Sequence, residues 1–275
     1  MTDDHKGNEQ PDTISDRHFS AQFLNAELLA TLSHELRGPL AIIKGYVTTL
    51  LHYDQIIDQN ERTDFLRAID EGSNRLAASI DRLMELAQME SGTIVLNSAT
   101  ISLPHLLRTA ITKVERTAPG RQFRLLHSSC VGMPLAHDIL LQADQHHLLT
   151  AFENILDNAL KYSDSNSSID ITLSPVCTDE EKERLTVHGD VDANKMIAVT
   201  VRDYGTGIPT DKLEQIFGRF QRVELGLTRE INGLGLGLTI SRYLIELHHG
   251  SIWAESTVGV GTTIHILLPI SSEVA

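Results

Sequence analysis

Ser33-His34-Glu35-Leu36-Arg37-Gly38-Pro39 sits in a run where Leu28, Leu32, Leu36, Leu40 (or Pro39), Ile43, Val47 and Leu50 recur at spacings of three and four. That period predicts an amphipathic helix from about Ser20 to Leu51 with one apolar seam. At about 100° per residue, position 34 lies roughly opposite the mean of positions 32 and 36, so His34 points away from the seam. Glu35 stands beside it. A histidine titrates near neutrality and has two distinct nitrogens, so an adjacent acid can hold one N–H while the other nitrogen attacks an electrophile. The chain has 13 histidines, so a solvated histidine alone means little.

A second helix is expected from about Asn60 to Met89, where Phe65, Ile69, Gly72, Leu76, Ile80, Leu83 and Ala87 repeat every three to four residues. The connection from His52 to Gln59 is short, so the two helices run antiparallel. One hairpin cannot cover its own seam. Pairing with a second copy into a four-helix bundle would do so, and a homodimer is expected. Gly92, after Glu90-Ser91, suits a left-handed C-cap. Residues 1–18 are polar and are expected to form a disordered leader.

From Thr93 the pattern changes to short β-rich runs (Ile94 to Leu96, Gln122 to Leu126, Ile169 to Leu173, Met196 to Val201, Ser251 to Glu255, Thr262 to Leu268) separated by helical stretches. This order predicts an α/β sandwich, and the chain as a whole is of the α+β class. The expected domains are 19–92 for the hairpin and 93–275 for the sandwich. The charged stretch between Pro175 and Lys195 reads as a solvated loop without chemistry.

A net charge of −14 argues against a nucleic-acid partner. The two cysteines, Cys130 and Cys177, lack paired spacing, so neither a zinc site nor a disulfide framework is expected. No apolar run approaches the roughly 18 to 20 residues that span a bilayer, and the polar N-terminus does not resemble a signal peptide. A cytoplasmic protein without a membrane anchor of its own is expected.

Four separated blocks carry chemistry. Asp144 is a candidate N-cap for a helix whose Leu149, Phe152, Ile155, Leu156 and Ala159 share one face, with Asn154, Asn158 and Lys161 opposite. Amide oxygens in that stripe can bind Mg²⁺ or its waters, and the ammonium can meet phosphate; a solvated helix face is the competing reading. In Ile197-Ala-Val-Thr-Val-Arg-Asp203, alternation puts Ile197, Val199, Val201 and Asp203 on one side of a strand, so an acid ends an apolar face. Such a carboxylate needs a donor, and the exocyclic amine of adenine is one. Gly205 and Gly207, in Tyr204-Gly-Thr-Gly-Ile208, give a turn where backbone can approach a flat ring. Gly233-Leu234-Gly235-Leu236-Gly237-Leu238 precedes a helix from Thr239 to His248, an arrangement that offers bare N–H groups and a positive dipole end to a phosphate. It matches neither the dinucleotide fingerprint nor the Walker pattern. Gly259-Val-Gly261-Thr262-Thr263 makes a last small-residue turn.

In this order the blocks resemble those of bacterial two-component sensor histidine kinases, from about residue 20 to the end. His34 to Pro39 is similar to their H box, Asn154 to Tyr162 the N box, Asp203 to Ile208 the G1 box, Phe217-Gly-Arg-Phe220 the F box, Gly233 to Leu238 the G2 box and Gly259 to Thr262 the G3 box. The resemblance implies a dimerisation and histidine-phosphotransfer hairpin followed by a Bergerat-type ATP-binding domain, with ATP and Mg²⁺ as cofactors. It implies that Asp203 reads adenine, that Asn158 (with Asn154) holds Mg²⁺, that Lys161, Tyr162 and Arg222 approach the nucleotide, and that Pro209 to Asn232 is a mobile lid. His34 would be phosphorylated with Glu35 assisting, and the phosphoryl group would pass to a response regulator receiver domain. Pro39 lacks the N–H that would bond back to Glu35, so a bend is expected after the site. Gly38 departs from the Thr or Asn that phosphatase-active members carry, which implies weak phosphatase activity. Asn232 with Leu234 also departs from the usual G2 pattern. The short leader has no room for an input domain, so a catalytic fragment or a separate sensor partner is expected. A non-catalytic ATP-binding adaptor and an anti-sigma-type serine kinase are the alternatives.

Overall fold

The computed structural model describes residues 33, 36–53, 55–128, 139–176, 195–219 and 235–271. The chain forms two compact units, Met1–Asp81 and Arg82–Ala275. The first contains helix α1 (36–53) and most of α2 (Gln59–Ser91). Their antiparallel pairing is fixed where Ile43 packs against Gly72 and where the Tyr46 and Phe65 rings lie 5.0 Å apart. A Cβ at position 72 would fall 2.9 Å from Ile43 Cγ1, so this glycine sets how closely the helices approach.

Asp58 starts α2. Its Oδ1 accepts from the amides of Asn60 (2.7 Å) and Glu61 (2.8 Å), and Glu61 Oε2 accepts from the Asp58 amide (3.1 Å), a reciprocal capping box. Gly92 ends α2 at φ 61, as its position after Ser91 predicts. The seam differs from the expected one. Leu36, Pro39, Ile43, Tyr46 and Leu50 are half-buried, whereas Leu40 is 52% exposed and Val47 is exposed, because the Tyr46–Phe65 and Ile43–Gly72 contacts turn α1 away from them. On α2, Ile80 and Ala87 are exposed while Leu86 and Met89 are buried. Among the described residues 36–81, Gly72 alone is buried. No helix among the described residues is long and apolar enough to cross a membrane.

In the second unit, β1 (Ala99–Ser102) pairs antiparallel with β3 (Leu140–Ala143), while α3 (Leu103–Glu115), α4 (Gln145–Tyr162) and α5 (Gly237–Leu247) form the helical layer. The main sheet has the order β2 (Gln122–His127), β4 (Ser168–Pro175), β5 (Met196–Arg202), β7 (Gly261–Pro269), β6 (Ser251–Thr257). β2 and β4 are parallel; the other pairs are antiparallel. Register places Ile171 beside Val201, Leu173 beside Val199, Val199 beside Ile266 and Ile266 beside Ile252, all buried. This β-branched surface faces Phe152, Ile155, Ile240 and Leu244 of the helices, the dry contact that an α/β sandwich requires.

The expected strand at Ile94 to Leu96 is absent. Val95 is exposed and residues 93–98 have no regular structure, because no strand lies beside them. The chain instead pairs four residues later, in β1, and neither β1 nor β3 was predicted. The stretch between Pro175 and Lys195 lies, from 177 to 194, outside the described residues.

Asp144 caps α4 as predicted, accepting from the amides of His146 (3.0 Å) and His147 (3.1 Å), and from that of Asn97 (2.8 Å). Burial opposes ionisation, but the Asn97 and His147 contacts outweigh it and bring the carboxyl down to about 2. After α5, His249 adopts φ 60, a left-handed conformation that glycine fills without steric cost. His249→Gly should therefore raise the unfolding free energy by about 1 kcal/mol, moving the urea midpoint up at constant slope; an unchanged midpoint would show the left-handed turn to be unstrained.

Candidate functional site

α4 connects the site's parts. Near its middle, Asn154 meets the first residue of α5, its Oδ1 lying 3.5 Å from the position a Cβ would take on Gly237. Asn154 Nδ2 is buried and has no hydrogen-bond partner among the described residues. At the far end of α4, the Tyr162 carbonyl accepts from the Thr206 amide (3.3 Å), and Ser163 forms a β-bridge with Gly205. Asn154 and Tyr162 are about 12 Å apart along the helix axis. α4 thus joins the glycine block before α5 to the turn after β5.

Asp203 directly follows β5 and is 7% exposed. Oδ1 accepts from the amides of Gly205 (2.9 Å) and Thr262 (3.2 Å), and the Asp203 amide donates to the Thr262 carbonyl (2.9 Å). Among the described residues none donates to Oδ2. Burial pushes this carboxyl above the usual carboxylate range, although the two amides act against the shift. A donor approaching Oδ2 would relieve that penalty. Tyr204, the next residue, is fixed on the other face: its hydroxyl donates to Asp170 (2.9 Å), the Arg202 guanidinium lies 4.9 Å from its ring centroid, and Arg124 pairs with Asp170.

The glycines of this turn are required by the protein's own backbone. A Cβ on Gly205 would lie 2.0 Å from the Tyr162 carbonyl oxygen, and one on Gly207, at φ 69, would lie 2.1 Å from the Thr257 carbonyl oxygen. A Cβ on Gly261, at φ 128, would meet the Asp203 carbonyl oxygen at 2.2 Å. Close chain packing by itself therefore requires glycine at 205 and 207. Ser256, which the sequence did not single out, accepts from the Ile208 amide (2.8 Å) and donates to the Gly261 carbonyl (2.8 Å). It locks the two small-residue turns together.

At the other end, Gly235 takes φ 66 and Leu236 is buried at the start of α5. Leu236 offers no side-chain cap, so the amides of Gly237, Leu238 and Thr239 enter the helix without one. That leaves N–H donors and the positive dipole end available to an anion. The Thr239 hydroxyl donates to the Gly218 carbonyl (2.8 Å), tying this end to the segment with Phe217. Phe217 is 6% exposed and lies beneath Arg242, so its ring packs inward instead of facing a ligand. Lys161 pairs with Asp157 at 2.6 Å; Asn158 is half-buried and Tyr162 exposed. His34, Glu35, Phe220, Arg222, Gly233 and Leu234 lie outside the described residues.

The amide oxygens suit Mg²⁺. Among the described residues no group of three His, Cys, Asp or Glu could cage a metal, so the amide oxygens of Asn158 and Asn154 are the groups that would hold Mg²⁺ here.

Residues 143–272 match the family described as histidine kinase-, DNA gyrase B-, and HSP90-like ATPase, and residues 24–92 match the His Kinase A (phospho-acceptor) domain. Together these matches identify the two domains of a histidine kinase catalytic core. Sensor histidine kinase WalK of Bacillus subtilis (strain 168) is 29% identical over 247 residues, covering 90% of this chain and 37% of that protein. Sensor protein kinase WalK of Staphylococcus aureus is 30% identical over 245 residues, covering 88% and 53%. The chain thus spans between about a third and a half of the length of these relatives. The fold is similar to histidine kinase ThkA, solved in complex with response regulator protein TrrA (TM-score 0.61, 22% identity, 93% of this chain and 65% of that one). It is also similar to Acinetobacter baumannii histidine kinase AdeS (TM-score 0.58, 16% identity, 87% and 98%). Within this family fold, the stripe on α4, the Asp203 turn and the start of α5 form one ATPase-type domain.

Gly205→Ala should lower the unfolding free energy by about 2–3 kcal/mol in urea titration, because the new methyl group forces α4 and β5 apart. Loss of nucleotide affinity at unchanged stability would instead assign Gly205 to ligand contact.

Proposed function

We propose that the chain is an ATP-dependent protein-histidine kinase of two-component signalling, acting in the cytoplasm as a homodimer, with residues 19–92 as phosphotransfer domain and 93–275 as ATP-binding domain. The observation that carries this reading is the length of α4 between its two contacts. It separates a buried acceptor beside the Gly205 turn from the uncapped start of α5 by a distance suited to an extended nucleoside triphosphate. Asp203 Oδ2 accepts from the adenine amine, and the amides of Gly235, Gly237 and Leu238 receive phosphate oxygens. Asn158, with Asn154 beside it, would hold Mg²⁺ through an amide oxygen, and the ion would supply charge neutralisation at the phosphates. Thr262 holds Asp203 through the backbone, and Ile208 is fixed by Ser256. Phe217, Phe220 and Arg222 fall within the proposed lid from Pro209 to Asn232.

In the transfer, His34 Nε2 attacks the γ-phosphorus, the bond from that phosphorus to the β,γ-bridging oxygen breaks, and ADP leaves. Glu35 holds the Nδ1 proton or accepts it as the phosphohistidine forms. The phosphoryl group then passes to an aspartate of a response regulator receiver domain, consistent with the complex in which ThkA was solved. The hairpin's chemistry supports dimerisation: Leu40, Ile42, Val47 and Leu66 are exposed apolar residues on helices that bury little of themselves.

With γ-labelled ATP and Mg²⁺, the purified chain should acquire acid-labile phosphate, and His34→Ala and Asn158→Ala should acquire none. Label that survives His34→Ala would remove this residue from the mechanism, and ATP binding without label would favour the adaptor. Gly38 is exposed in α1 with nothing within 4 Å of a would-be Cβ, so a side chain fits there. Gly38→Thr should raise dephosphorylation of the regulator on the order of 100-fold by orienting a water; an unchanged rate would sink that role for the position.

A further inference from the structure

α4 and α5 are joined by two buried polar struts that ATP would not touch. The first is Ser241, 0% exposed, whose single hydroxyl proton is shared between the Ala151 carbonyl of α4 (3.0 Å) and the Gly237 carbonyl of its own helix (2.9 Å). The second is His248, 4% exposed, at the C-terminal end of α5. Its Nδ1 lies 2.7 Å from the Leu244 carbonyl and its Nε2 lies 3.0 Å from the Asp144 amide. A carbonyl accepts and an amide donates. The ring is therefore neutral, with its proton on Nδ1 and a bare Nε2.

Ala151 pairs with the start of α5 and Asp144 with its end, so the two helices run antiparallel and are fixed at two points. Along α5, His248 lies about 10 Å from Ser241, and Gly237 lies about 6 Å from it on the other side. With Ser241 as pivot, each ångström lost at the His248 end moves Gly237 by about 0.6 Å. Gly237 is where α5 meets Asn154.

We infer that His248 is a positioning residue of the nucleotide site: its neutral ring sets the gap between the Asn154–Asn158 stripe and the phosphate-facing start of α5, and protonation releases that gap. The inference rests on the nucleotide reading above. An imidazolium would turn a second N–H toward the Asp144 amide, so the strut becomes a clash of donors. The charged and titratable groups around the ring are Asp144 and His147 on α4 and the adjacent His249. Burial holds His248 below its ordinary range, with Asp144 acting against the shift and His147 and His249 reinforcing it. The folded form with the strut intact is thus favoured above the ordinary histidine range and is weakened as pH falls below it.

The test is ATP affinity from pH 5.5 to 8, measured by competition against a fluorescent ATP analogue, for the full chain and for His248→Gln and His248→Asn. Gln carries an acceptor oxygen where Nε2 lies and cannot protonate; Asn is too short to reach the Asp144 amide. Wild-type affinity should fall on the acid side about tenfold more than that of His248→Gln, while His248→Asn should bind about tenfold more weakly at neutral pH. Any acid loss from Asp203 is common to wild type and the Gln variant, so their difference reports His248. Identical acid profiles for these two would overturn the inference, and this comparison stands even if His248→Asn fails to fold. A wild-type chain that binds no ATP at any pH would overturn the nucleotide reading itself, and the positioning role with it.

Discussion

Asp203 Oδ1 accepts two backbone amides, from Gly205 and Thr262, and that bifurcated contact sets the geometry of every segment around it. A carboxylate this buried is costly, and the strand could not end there without those donors. To supply them, the chain after β5 must fold back within contact of Tyr162, and the β6–β7 turn must close against Asp203. Both approaches are so tight that residues 205, 207 and 261 can carry no side chain. Because the amides share one oxygen, the second is left for a donor from outside, and in the proposed kinase that donor is the adenine amine.

The same domain shows how one helix can relate two ends of a ligand. α4 is capped by Asp144, whose carboxylate also holds the Asn97 amide, so its start is fixed in place. Its apolar face, with Phe152, Ile155 and Leu156, is clamped on the β-branched surface of the sheet. Its remaining freedom lies in its pairing with α5, where Ser241 and His248 replace adaptable apolar contact with directional bonds. Buried hydrogen bonds specify a register that apolar packing alone leaves soft.

Much of this was legible in the sequence because the signals were local. The Asp144 cap, the left-handed Gly92, the alternation that puts Asp203 on an apolar face and the glycine block ahead of α5 each depend on residues a few positions apart. What escaped depends on distant partners. β1 and β3 are four residues each, too short for an alternating pattern to declare itself. His248 finds its partner 104 residues away, and Ser241 finds Ala151 across 90. The close packing at Gly205 escaped for the same reason: a glycine in a turn reads alike whether it admits a ligand or a neighbouring carbonyl. The capping box at Asp58 and Glu61 was local and could have been read from the Asp-x-x-Glu spacing. On α1, period alone allowed Leu40 or Pro39 in the seam, and the Tyr46–Phe65 contact decided in favour of Pro39.

The helical unit and the sandwich stand in different energetic positions. The sandwich buries a continuous core of its own, whereas the described part of the hairpin buries almost nothing and leaves leucine and valine side chains in water. In the proposed kinase a second copy would cover that surface and place two phosphotransfer helices side by side. The central claim remains the free oxygen of Asp203, and it is tested most directly by comparing ATP with ITP, whose base carries a carbonyl in place of the adenine amine. Wild type should prefer ATP, and Asp203→Asn, which keeps an acceptor for the two amides but turns an NH₂ outward, should lose or reverse that preference. Equal affinity of the wild type for ATP and ITP, or an unaltered preference in Asp203→Asn, would contradict the account.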